Sequence, residues 1–232
     1  VYWTGSQATN SWATTSAGPL TNWATDAAGS TNYTTLPTTT DTVIFSASNA
    51  TGPAITTSLD GSYTLDGLQF IATPSGVTAV TINQGTGGAL TLAPSSTSGG
   101  MLVGPNAGNI TITAPLVTSS THVPSQTWSV DGTGTSSLLI SGPLTINAQI
   151  NKTGAGTLTL SSASNTGAGV DACSAGATDS TGAVCRAICT GASAGAIWRT
   201  SSTVNARAST QAASSPKPSS HQGGERVPML TN

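Results

Sequence analysis

One feature constrains the fold of this chain more than any other: a run of short segments that alternate apolar and polar residues between positions 42 and 162. They read "TVIF" (42–45), "YTLDGLQF" (63–70), "VTAVTI" (77–82), "ALTLA" (89–93), "MLVG" (101–104), "NITITAPLV" (109–117), "TWSV" (127–130), "SLLISGPLTI" (137–146) and "GTLTL" (156–160). Successive side chains of a strand point to opposite faces, so a period of two marks strands with one buried face. Turn formers separate the segments: Pro53, Thr73-Pro74-Ser75-Gly76, Gly85-Thr86-Gly87-Gly88, Ser98-Gly99-Gly100, Gly104-Pro105-Asn106 and Asp131-Gly132. No stretch holds a helical period. The zone is all-β.

Two architectures accommodate such a pattern, a β-sandwich of hairpins and a β-solenoid, and charge separates them. Charged residues are 6% of the chain, against about 25% in an ordinary domain. Residues 1–151 carry five Asp and no Lys or Arg, and Lys152 is the first base. Coils stacked in register bring equivalent side chains within ~4.8 Å of each other, where like charges repel and Thr or Asn ladders fit. The pattern therefore predicts a right-handed parallel β-helix. At ~20–25 residues per coil the zone makes about five or six coils, about 25–30 Å tall. Three zones follow: a Trp-rich N-terminal cap (1–41), the solenoid (42–166), and a low-complexity or non-solenoid tail of weak order (167–232).

The same charge balance narrows the partners. Nucleic-acid binding needs Lys and Arg to displace phosphate counterions, so residues 1–151 do not serve it. Anionic membrane surfaces and polyuronates are disfavoured on the same ground. No window approaches the ~18 consecutive apolar residues of a spanning helix. Cys173, Cys185 and Cys189 all lie in the tail, are odd in number, and have a spacing that fits no zinc pattern. The chain starts at Val1 with no basic or apolar leader, so an export signal is expected to have been removed or to lie outside this stretch.

The stretch "INKTGAGTLTLSSASNTGAG" (150–169) holds the lone lysine of the zone. A phosphate loop would place the lysine after the glycines and follow it with a helix. Here the order is reversed and a strand follows. Gly154 and Gly156 supply positive-φ freedom for a corner, Leu158 and Leu160 point to the core, and Lys152 is expected outside with its ammonium in water. Lys152 to Leu160 resembles the autotransporter-associated β-strand repeat, residue for residue, and Ser161, Ala163 and Asn165 follow with small departures. Upstream, Trp3-Thr4-Gly5, Trp12, Asn22-Trp23, Pro37 and Asp41-Thr42-Val43-Ile44-Phe45 occur in an order similar to that of bacterial surface proteins carrying this repeat. The resemblance covers about residues 1–166. It implies an exported, non-enzymatic passenger segment with a parallel β-helix fold at the outer surface, acting as stalk, adhesin or scaffold. After Asn165 the pattern is lost.

Chemistry-bearing residues are few. Asp60, Asp66 and Asp131 would make a glycosidase-like pair only if stacking clustered them. Each precedes Gly, as a turn requires, and His122 is the one basic partner available before Lys152. "GTGG" (85–88) and "SGG" (98–100) lack the Asp of a calcium β-roll, and no serine sits in a nucleophile elbow. Four Asn-x-Thr sequons, at Asn32, Asn49, Asn109 and Asn151, are what a Thr-rich chain produces by chance. Trp3, Trp12, Trp23 and Tyr33 suit stacking on sugar faces. They equally suit a plug for the open end of the solenoid, which the first coil needs. The expectations are thus no catalytic residue, metal or cofactor, with a surface polysaccharide or further copies of the chain as partners. The alternatives are a carbohydrate-binding or weakly polysaccharide-active β-helix and a self-assembling filament subunit.

Overall fold

The computed structural model describes residues 1–16, 20–45, 54–71, 78–131, 136–162, 164–167, 170–172, 186–189 and 199–200, the last three stretches as backbone only. No helix occurs among them. The chain winds as a parallel β-solenoid of three-stranded coils. Strands β1 (Tyr2–Trp3), β2 (Thr15–Ser16), β3 (Leu20–Thr21) and β4 (Trp23–Ala24) precede the coils. The first coil is β5 (Thr42–Phe45), β6 (Ala54–Ser58) and β7 (Tyr63–Leu65); the second is β8 (Gly67–Phe70), β9 (Ala79–Asn83) and β10 (Leu90–Leu92). Coil three is β11 (Gly100–Val103), β12 (Asn109–Ile112) and β13 (Leu116–Thr118); coil four is β14 (Ser125–Val130), β15 (Ser137–Ile140) and β16 (Leu144–Ile146). Coil five is β17 (Gln149–Thr153), β18 (Thr157–Leu160) and β19 (Thr166–Gly167).

Three further strands follow: β20 (Val170–Ala172), β21 (Arg186–Cys189) and β22 (Arg199–Thr200). β20 pairs in parallel with β17, β21 with β18, and β22 with β20. These strands extend the ladders past residue 167. The remainder of the 167–232 zone, with Cys173 and Cys185, lies outside the described residues.

First strands of successive coils form one sheet, second strands another and third strands a third. In the first sheet Val43 pairs with Leu68, Leu68 with Met101, Met101 with Trp128, Trp128 with Lys152 and Lys152 with Ala172. Those partners are 25, 33, 27, 24 and 20 residues apart, a wider range than a uniform repeat would give. Corner segments absorb the difference: Asp66 alone joins β7 to β8, whereas residues 93–99 join β10 to β11. Register survives because only the strands carry the ladder hydrogen bonds.

Alternation fills the interior with columns of aliphatic side chains. Ile55, Val80, Ile110, Leu138 and Leu158 make one column of the second sheet, and Thr57, Ile82, Ile112, Ile140 and Leu160 the next, all buried. Phe45 and Phe70, register partners, stack with centroids 5.3 Å apart and planes at 13°. Outward columns are neutral: Thr56, Thr81, Thr111 and Thr159 share one, broken by Leu139. The polar groups that enter the core are satisfied. Thr118 Oγ1 donates to Ala148 O (2.8 Å) and accepts from Ala148 N (3.0 Å). Gln126 Oε1 accepts from Trp128 Nε1 (3.0 Å), and its Nε2 donates to Leu92 O (3.3 Å). Among the described residues no buried side-chain nitrogen or oxygen is left without a partner.

Each interior side chain touches its own rung and the two beside it, so a cavity in the middle of the stack has little room to collapse. Ile140→Ala should cost about 2–5 kcal/mol, read as a lower denaturant midpoint with an unchanged slope.

Candidate functional site

Two places hold the residues singled out in the sequence: the aromatic end and the corner after Lys152. At the aromatic end, β1 lies between β5, to which it pairs in parallel, and β4, to which it pairs antiparallel. This closes one open edge of the first sheet. Residues 10–12 close the second sheet, with Ser58 N donating to Asn10 O and Trp12 N donating to Ser58 O, both 2.8 Å.

Trp3, Trp12 and Trp23 are all buried. Trp23 meets Trp3 and Trp12 edge-on with centroids 5.0 Å away in each case, and Trp12 meets Tyr63 at 5.3 Å. Two of the indole N–H groups bond inside the cluster: Trp12 Nε1 donates to Thr57 Oγ1 (3.0 Å) and Trp23 Nε1 to Trp12 O (3.3 Å). Tyr33 is half-buried against the same cluster and its hydroxyl donates to Asp41 (3.0 Å). The sugar-stacking assignment of Trp3, Trp12 and Trp23 is corrected by this burial, because no ring face is open to a glycan. The plug reading describes the geometry.

Asn22, which the sequence marks only as the residue before Trp23, organises the cap. Its Nδ2 donates to Thr9 O, Thr9 Oγ1 and Ser11 O at 3.2, 3.0 and 2.9 Å, while Oδ1 accepts from Gln7 N at 2.8 Å. A buried Asn that engages both its amide nitrogen and its carbonyl oxygen fixes a loop that has no sheet of its own. The one available sequence signal was its place before Trp23.

At the other place, Leu158 and Leu160 are buried as expected. Gly154 has φ +75°, and Gly156 does not share that conformation. A Cβ at Gly156 would lie 2.6 Å from Val130 Cγ1 and 2.8 Å from Val130 O, so this glycine serves close approach to the rung below. Its N–H donates to Val130 O at 2.7 Å. Lys152 requires a second correction. It is fully buried, not out in water. The reason is parity: β17 alternates with Ile150 and Lys152 inward, in register with Gln126 and Trp128 below. Its Nζ donates to Gly154 O. Burial lowers its pKa to about 8, and the nearby Asp131 charge partly opposes that shift.

The carboxylates are dispersed. Asp60 follows β6, Asp66 follows β7 and Asp131 follows β14, so each sits at a different corner of the solenoid. Each has a turn-fixing partner. Asp60 has φ +51° and accepts from Thr86 N (2.7 Å), a bond that lowers its pKa. Asp66 accepts from Ser95 N (2.7 Å) and Asp131 from Ser129 Oγ (3.1 Å). Asp26 accepts from Ser30 N and Thr31 N (3.2 and 2.7 Å), which holds its pKa at about 2. No group of three or more His, Cys, Asp or Glu that could hold a metal ion occurs among the described residues. His122 is exposed between β13 and β14. Searches of protein-family models, of curated proteins and of solved structures find no match to this chain.

Trp12→Ala should destabilise the fold by about 3–5 kcal/mol, as a buried aromatic does, and calorimetry would show it as a lower Tm. A pH effect follows from Lys152. Below about pH 8 the lysine is charged in both folded and unfolded chains, and the folded state bears the full burial cost. Between about 8 and 10.5 the folded chain has released the proton and the unfolded chain still holds it, so stability rises with pH, by up to about 3 kcal/mol. Tyr63, raised to about 12 by burial first and Asp60 second, acts in the opposite direction above pH 10. Denaturant midpoints from pH 7 to 10 should climb more in the wild type than in Lys152→Met, which keeps only the rise from the Val1 amine, its pKa lowered by partial burial.

Proposed function

We propose that this chain is a non-enzymatic β-solenoid scaffold or adhesin-like segment, displayed outside the cell as part of a bacterial surface protein of the autotransporter-associated repeat type. The carrying observation is how the reactive residues are spent. The three tryptophans at the aromatic end fill a plug, and Asp60, Asp66 and Asp131 tie turns at three separate corners. A second support is the surface. The outward columns of the three sheets through coil five present Thr, Ser, Asn, Gln, Gly and a few aliphatics, and no charge. A rigid neutral rod separates what it carries from the surface beneath it, and it makes contact through many weak hydroxyl and methyl groups rather than one pocket.

Cells displaying the segment on an outer-surface anchor should be retained under flow, on glycan-coated or abiotic surfaces, longer than cells displaying the anchor alone. A displayed segment that confers no retention, together with purified protein that turns over a polysaccharide and loses the activity in Asp66→Asn or Asp131→Asn, would replace this reading with the enzymatic one.

A further inference from the structure

We draw no further inference here: the strongest candidate, the surface patch of exposed Ser and Thr side chains on the corner loops 93–99 and 119–124 of coils two and three, carries nothing because no feature of the structure shows what binds or covers it.

Discussion

Parallel stacking in register is the constraint on which everything else rests. Because one rung lies about 4.8 Å above the next, a side chain in any column meets the side chain of the same column above and below it. Inside, this selects residues that pack well on their own kind, hence the Ile, Leu and Val columns and the Phe45–Phe70 stack. Outside, it removes charge, since a Lys or Glu would face its neighbours at close range. The scarcity of ionisable residues in the first 151 positions is thus a property of the ladder before it is a property of any partner. Asp60 and Asp66 stand at corners, where a backbone N–H of an adjacent turn donates to them, as Thr86 N and Ser95 N do.

The two ends of the described stack are built on different principles. The N-terminal end closes with large aromatic rings and antiparallel strand pairing, so the edge of the first sheet meets β1 rather than solvent. Trp3, Trp12 and Trp23 contribute volume there, and the polar framework of Asn22 holds the loops that carry them. Toward the other end the interior column of the first sheet passes from Trp128 to Lys152, exchanging the largest apolar side chain for a charged one within a single rung.

Much of this was legible in the sequence. The period-two segments name the strands, and the lack of charge chooses stacking over hairpins. The register then follows from matching apolar positions, as with Leu138 and Leu158 or Ile140 and Leu160. Coil length was less legible, because corners accept insertions without disturbing the ladder, so a fixed repeat misjudged the 33-residue step from Leu68 to Met101. The aromatic end offered two readings, and burial alone separates them: a ring that plugs a core and a ring that awaits a sugar look the same in a sequence. Lys152 was misplaced for a specific reason. Its charge argued for solvent, while strand parity, counted from Ile150, argued for the interior. Parity prevailed because a one-residue slip would have turned the whole strand inside out.

The spacing between ladder partners bears on how such a rod comes into being. Every interstrand pairing of the coils closes a loop of roughly one coil, whatever the total number of coils. Closing a 33-residue loop in place of a 20-residue one adds only about 0.4 kcal/mol of entropy. Assembly therefore meets a succession of nearly equal, local hurdles instead of one large search that worsens with length. A longer rod of this design would take more time to complete only in proportion to its rungs, with the aromatic plug supplying the template on which the first rung is laid.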